Sequence, residues 1–278
     1  MKVLLIVNPQ KAASQKLSLE IKETLERAGV EVFFFSYTDK SLINRNFDIA
    51  FSLGGDGTVL FTARCVAEWN VPILPLNLGT LGFISPVHPS NWQEVFGQWQ
   101  DNALSISCRT MLEVQVERGG RSLFSLPALN DAVISASGIA KTIRLEAELQ
   151  KMRVGLYRSD GLIVATPTGS SAYCASAGGP ILDPEMEALI LNPICPFTLF
   201  YRPLVMPADE VLTVKIAPEQ RSGVLLTIDG QVTEALEPND KVLISKAPYK
   251  AQLLASDRST FYNALHTKLS MFGGSSDA

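Results

Sequence analysis

The sequence predicts an α/β N-terminal domain on a parallel, Rossmann-like sheet, followed by an antiparallel β-rich, β-sandwich-like C-terminal domain. Three observations predict this. The first hundred residues alternate strand-like and helix-like segments, the order expected of βαβ crossovers. From about Arg109 the apolar pattern changes to a period of two, with short strand-like segments set between turn signals. The tail, Thr260 to Phe272, is helix-like again and is expected to return to the first domain. The expected domains are therefore residues 1–107 with 258–278, carrying the glycine-rich motif below, and residues 108–257.

Each element has its own sequence signal. Val3 to Val7 is continuously apolar, as in a strand buried on both faces. That run is short and lacks a small-residue cleavage site, so it reads as a first strand rather than a signal peptide. Ser14 is expected to cap a helix reaching Ala28, with Leu17, Ile21, Leu25 and Ala28 on one face and Gly29 as its stop. Val30 to Phe35 and Ile49 to Leu53 read as strands, Val59 to Glu68 as a helix and Val71 to Leu76 as a further strand. Met111 to Arg118 alternates before a Gly119-Gly120 turn, and Thr142 to Gln150 alternates again. Leu162 to Ala165 reads as a strand before a short helix at Ala172 to Ala177. Val211 to Ile216, Val224 to Ile228 and Lys241 to Ile244 complete the β half, with Asp229-Gly230 as a hairpin signal. Residues 273–278 are expected to fray.

Composition narrows the function. With 278 residues, 46% hydrophobic and 19% charged, the chain can bury a large core. A net charge of −4 disfavours non-specific nucleic-acid binding. No apolar run reaches 18 residues, so no transmembrane helix is expected. Cys65, Cys108, Cys174 and Cys195 lack C-x-x-C spacing, which fits reduced thiols in a cytoplasm and disfavours zinc. Only two histidines occur, His88 and His266, neither beside a cysteine or an acidic motif, so histidine acid–base chemistry is disfavoured.

Gly54-Gly55-Asp56-Gly57-Thr58 carries the chemistry most directly. A strand ending in a glycine-rich turn that opens a helix presents backbone N–H groups to an anion. An aspartate among phosphates is explained by a metal or by proton transfer, so Asp56 is the candidate catalytic residue, while Gly-Asp-Gly as a plain tight turn is the bland alternative. No Walker motif and no G-x-G-x-x-G occurs. A second constellation runs from Asp160 to Tyr173, where a strand enters a loop of hydroxyls and glycine. Thr168, Ser170 and Ser171 there could cap the following helix or bind a polar ligand, and Tyr173 could stack on a base or simply pack. Asn130-Asp131 offers donors and acceptors matched to vicinal ribose hydroxyls, or else an Asx turn. No G-x-S-x-G elbow supports a serine hydrolase.

Together these segments resemble the NAD kinase family over nearly the whole chain. The resemblance rests on Gly54 to Thr58, Leu78 to Phe83, Asn130-Asp131, Asp160 to Tyr173 with Ser176 to Pro180, Pro196 with Arg202-Pro203, and Asp229-Gly230-Gln231. The glycine pentapeptide is shared with phosphofructokinases and lipid kinases; the Asp160 to Tyr173 segment singles out NAD kinases. The resemblance implies phosphorylation of the adenosine 2′-hydroxyl of NAD by ATP or polyphosphate, with a divalent metal, Mg²⁺, as cofactor. It implies that Asp56 accepts the hydroxyl proton, acts as a metal ligand, or both, beside Gly54, Gly55, Gly57 and Thr58. Asn130 and Asp131 would hold a ribose. Asp160, Thr168, Ser171, Ala172, Tyr173 and Ser176 would line the NAD site, with Phe83 packing near the dinucleotide. Lys141, Arg158 and Gln231 match nucleotide-contacting positions. From the residues alone, Lys141 and Arg158 are either cations suited to phosphate or solvated surface charges, the surface reading being the favoured one.

Two positions depart from the family's pattern. Aspartate stands at 131 where the family usually has glutamate, and Phe197 stands where a histidine commonly follows the proline. The expected partners are small-molecule nucleotides and further copies of the chain, as a homo-oligomer (dimer or tetramer), with no nucleic acid and no membrane, in the cytoplasm. Two other readings use the same residues: a non-catalytic nucleotide-binding sensor, and a lipid or sugar kinase sharing the glycine turn.

Overall fold

The structure is a computed structural model and describes residues 1–37, 46–79, 82–198 and 200–272. Contacts divide the chain into two compact units, Met1–Arg109 with Tyr249–Ala278, and Thr110–Pro248. The elements run β1 (Lys2–Val7), α1 (Ala12–Arg27), β2 (Glu31–Ser36), β3 (Ile49–Gly54), α2 (Asp56–Val66), β4 (Ile73–Asn77), α3 (Trp92–Gln100), β5 (Ile106–Arg118) and β6 (Arg121–Ala128). There follow β7 (Asp131–Ala136), β8 (Ile143–Leu149), β9 (Met152–Ser159), β10 (Gly161–Ala165), α4 (Tyr173–Ser176), β11 (Ala188–Ile194) and β12 (Leu204–Pro207). The chain closes with β13 (Leu212–Ile216), β14 (Val224–Ile228), β15 (Val232–Leu236), β16 (Lys241–Leu254) and α5 (Arg258–Phe272).

In the first unit β2, β1, β3 and β4 pair in that order, all parallel, and Leu253 of β16 adds a parallel pairing to Ile73 of β4. The central position of β1 explains its uninterrupted apolar run, because both faces are covered. Leu17, Ile21 and Leu25 of α1 and Trp92 and Phe96 of α3 join Val3, Leu5, Phe51, Leu53 and Leu74 in one core. Ala28, expected on that face, is the exposed C-cap, and Gly29 ends the helix with φ of 77°.

Two expectations in this unit are corrected. Ser14 is not the cap of α1: Lys11 is the N-cap residue, and Ser14 is buried one turn inside. Its hydroxyl accepts the Asn8 N–H at 3.0 Å and donates to the Leu53 carbonyl at 2.8 Å. The helix expected from Val59 begins three residues earlier, at Asp56, with extended Gly55 as its N-cap.

In the second unit the strands are antiparallel. Their order is β12, β11, β10, β7, β14, β15 in one sheet; in the other, β13 lies between β16 and β8, and β9 pairs with β8. Ile134, Val164, Leu191 and Leu226 of the first sheet and Leu145, Val214 and Ile244 of the second share one core, so the sheets stack as a sandwich. Val224–Ile228 forms the strand its alternation predicts. Asp229, Gly230 and Gln231 turn it into β15, the first two with φ of 50° and 66°, so three residues separate the paired Ile228 and Val232. Residues 273–278, expected to fray, lie outside the described residues.

Candidate functional site

In the first unit the glycine pentapeptide is the end of a strand, an N-cap and the first turn of a helix, and none of its glycines has a positive φ. Glycine is needed at 54 for space: a β-carbon there would lie 2.0 Å from the Thr58 hydroxyl oxygen. Thr58 is buried, and its N–H donates to the Gly55 carbonyl at 2.9 Å. Asp56 occupies the first turn of α2, where a carboxylate is favoured by the helix dipole. Its Oδ2 accepts the Phe83 N–H at 2.9 Å and its Oδ1 the Ile84 N–H at 3.4 Å. The carboxylate is thus aimed by backbone from a segment 27 residues away. Phe83 is half-buried, packed on Phe261 and carrying Lys268 Nζ 4.2 Å from its ring centroid. Thr80 and Leu81, quoted in the resemblance, lie outside the described residues.

In the second unit Asn130, just before β7, and Asp131, its first residue, line a cavity of about 370 Å³ with Ala172, Tyr173, Asp229 and Gly230. Ser135 and Thr227 add polar wall, and Val133 adds apolar wall. The carboxylate of Asp229 reads three consecutive backbone groups, accepting from Leu129 N at 3.1 Å, Asn130 N at 2.7 Å and Asp131 N at 3.2 Å. The pair at 130–131 is therefore held by the hairpin turn and not by an Asx turn of its own. Asp131 is 4% exposed. Burial, and then the neighbouring Asp229 carboxylate, pushes its carboxyl up to about 7.

The hydroxyl-rich loop divides into two kinds of residue. Thr166 donates to the Leu129 carbonyl at 2.6 Å and accepts Gly169 N, while Ser170 donates to the Pro167 carbonyl and accepts Leu182 N. These two are occupied in holding the loop. Neither Thr168, Ser170 nor Ser171 caps the short helix α4, so the capping alternative is not what the structure builds. Thr168 is buried with its hydroxyl unpaired, whereas Ser171 is half-buried and donates to the Thr168 carbonyl at 3.3 Å. Gly169 must be glycine, because a β-carbon there would lie 2.1 Å from the Asn130 carbonyl oxygen. Tyr173 is 47% exposed at the cavity wall.

The remaining candidates are more dispersed. Asp160 is half-buried between β9 and β10, Ser176 is exposed at the end of α4, and Gln231 follows the Asp229-Gly230 turn. Lys141 is exposed in the loop between β7 and β8. Arg158 is exposed on β9 with its guanidinium 4.6 Å from the Phe197 ring centroid. It borders a separate cavity of about 780 Å³ rather than the one at Asn130-Asp131. Sequence reading missed Asp229 as a clamp and Gly82, where a β-carbon would collide with the Asp56 carboxylate. Its nearest clue was the Asp-Gly turn signal for the first; for the second only the glycine was visible. Among the described residues no group of three or more His, Cys, Asp or Glu side chains could hold a metal, and no helix is long and apolar enough to cross a membrane.

Residues 36–101 match the family described as the ATP-NAD kinase N-terminal domain, and residues 129–256 the ATP-NAD kinase C-terminal domain. The chain is 40% identical to a NAD kinase of Treponema denticola, covering 99% of this chain and 98% of the relative. It is 34% identical to a NAD kinase of Lachnoclostridium phytofermentans, covering 96% and 98%. Among solved structures, a NAD kinase from Archaeoglobus fulgidus in complex with ATP superposes with a TM-score of 0.76 at 26% identity, covering 96% of this chain and 98% of that one. A yeast NADH kinase complexed with NADH gives 0.86 at 24% identity, covering 100% and 89%, a likeness of fold.

Proposed function

The chain belongs to the NAD kinase family, and from that membership we propose which of its residues carry the transfer. The protein is a phosphotransferase with NAD kinase activity, which stands over the sensor and the lipid or sugar kinase readings. The observation that carries the assignment of roles is the Asp56 carboxylate, aimed by the Phe83 N–H at the N-terminus of α2.

Asp56 accepts the proton of the adenosine 2′-hydroxyl as the ribose oxygen bonds to the γ-phosphorus and the bond to the leaving ADP oxygen breaks. Transfer of this kind needs positioning and charge neutralisation more than covalent help, and a general base contributes ~10²–10⁴-fold. Gly54, Gly55, Gly57 and Thr58 shape the turn that admits phosphate. Asn130 and Asp131 hold a ribose through the amide and carboxylate that line the 370 Å³ cavity, with Ala172 and Tyr173 against the base. Asp160, Thr168, Ser171, Ser176 and Gln231 extend the dinucleotide site, and Phe83, Lys141 and Arg158 contact nucleotide.

A divalent ion fits as a companion of the nucleotide. Mg²⁺ is commonly held by one or two carboxylates plus substrate phosphates. Asp56 is such a single carboxylate, its Oδ1 engaged only at 3.4 Å; it would hold the ion, which supplies charge neutralisation at the phosphates. A cytoplasmic location is part of the same reading, supported by Cys65, Cys108, Cys174 and Cys195 standing as free thiols, and so is a homo-oligomer, checked by light scattering. The deciding assay is NADP formation from NAD, ATP and Mg²⁺ by wild type and Asp56→Asn. Turnover by the wild type with a loss of about 100-fold or more in the variant supports the assignment; equal turnover removes Asp56 from the chemistry.

A further inference from the structure

The glycine pentapeptide contains no cation, yet the phosphates of a donor nucleotide need positive charge beside it. The first unit supplies one from a segment outside every motif considered so far. Lys11 lies in the loop between β1 and α1, as the N-cap residue of α1. The buried Ser14 hydroxyl ties that loop to the last residues of β3 by bridging Asn8 N and the Leu53 carbonyl. Leu78 N–H donates to the Gly54 carbonyl, which ties the loop after β4 to the same place. Strands β1, β3 and β4 are neighbours and parallel, so their following loops stand together at the carboxyl edge of the sheet, where sheets of this class receive ligands. Lys11 reaches across that edge: a methyl group on Gly79 would lie 3.8 Å from its Nζ. Among the described residues Lys11 pairs with no carboxylate, whereas Lys22 on the same helix binds Glu26 at 2.6 Å.

We propose that Lys11 is a phosphate-contacting residue of the transfer, placing its ammonium on the donor's polyphosphate where a Walker lysine is absent. Its side chain is long enough to follow the phosphates, and its loop is fixed by Ser14. The inference rests on the reading that this unit handles ATP at Asp56.

The test compares wild type, Lys11→Met, Lys11→Arg and the control Lys22→Met, with thermal melts to verify folding. Steady-state kinetics are taken in ATP and, separately, in NAD. Inhibition by inorganic tripolyphosphate is measured alongside. The expected result is a fall of about tenfold or more in kcat/KM for ATP in Lys11→Met, weaker tripolyphosphate inhibition and a KM for NAD within about twofold of wild type. Lys11→Arg should recover most of the loss, because the charge returns, and Lys22→Met should match wild type. ATP kinetics and tripolyphosphate inhibition unchanged in Lys11→Met would overturn the proposal. So would a loss shared by ATP and NAD that arginine does not restore. If Lys11→Met fails to fold, Lys11→Gln is compared with Lys11→Arg under the same criteria. A wild type that makes no NADP condemns the reading at Asp56 instead, so the two failures are separable.

Discussion

Gly82 lies against the Asp56 carboxylate so closely that a β-carbon at position 82 would sit 2.0 Å from Oδ1 and 2.6 Å from the carboxyl carbon. The segment that donates the Phe83 N–H to Asp56 can approach only because its preceding residue has no side chain. Gly82→Ala must therefore displace the carboxylate or pull the Phe83 N–H away from it. A misplacement of about 1 Å at a reacting group costs roughly 100-fold. The expected outcome is a fall of that order in kcat with little change in the melting temperature, since the half-buried carboxylate can swing aside. A fully active Gly82→Ala enzyme would show that the observed seat of Asp56 is not the catalytic one.

The Asp229 clamp makes a different prediction, because it acts through Asn130 and Asp131. Asp229→Ala leaves the N–H groups of residues 129, 130 and 131 without their carboxylate partner, two of these residues being buried. An unsatisfied buried N–H costs about 1–3 kcal/mol, so a denaturant titration should record a loss of at least that size. If Asn130 and Asp131 hold the ribose, KM for NAD should rise more than KM for ATP. Equal effects on both substrates would reduce Asp229 to a purely structural role.

Asp131 predicts a pH dependence whose sign can be worked out. Its carboxyl titrates near 3.8 when free and is pushed up to about 7 in the fold, first by burial and then by Asp229. Between pH 4 and 7 the folded chain holds a proton that the unfolded chain has released, so stability falls as pH rises through that window. The whole effect amounts to at most about 4 kcal/mol. Asp131→Asn should match wild type near pH 4 and exceed its stability near pH 8, as read by urea titrations at both values. A hydroxyl-accepting carboxylate also requires the ionised form, so KM for NAD should drop from pH 6 to 8 in wild type and lose that dependence in Asp131→Asn. The Cys174 thiol near it, pushed up to about 11 chiefly by burial, does not titrate in this range.

What the sequence disclosed and what it withheld follow from the range of the interactions. The buried first strand, the Val224–Ile228 strand and the Asp229-Gly230 turn were legible because periodicity and turn chemistry are local. The glycine pentapeptide announced its chemistry but not its geometry: Gly55 caps a helix that starts at Asp56, and the glycines provide room rather than left-handed turns. Withheld were the bonds that aim the site. Asp56 is oriented from 27 residues away, and Asn130 is clamped from 99 residues away. No short-range pattern encodes such pairings. Ser170 and Thr166 show the converse, since a hydroxyl that looks free for a ligand or a cap is consumed by loop carbonyls.

Ser14 offers the last prediction, because its bond pattern contrasts with that of Ser18 one turn later. The Ser18 hydroxyl donates to the Gln15 carbonyl at 2.7 Å within its own helix, a carbonyl that already has a place in the helix ladder. Ser14 joins the loop after β1 to the end of β3, and removing its hydroxyl strands the Asn8 N–H and takes a donor from the Leu53 carbonyl. Ser14→Ala should therefore cost about 1–3 kcal/mol in a denaturant titration, and Ser18→Ala less than about 1 kcal/mol. If Lys11 serves the donor phosphates, Ser14→Ala should also raise KM for ATP several-fold while KM for NAD stays put, because the loop that carries Lys11 loses its tether. Loss of stability without any change in KM for ATP would mean that the loop keeps its place through the backbone bond from Lys11 N to the Asn8 carbonyl at 3.1 Å, and that Ser14 serves folding alone.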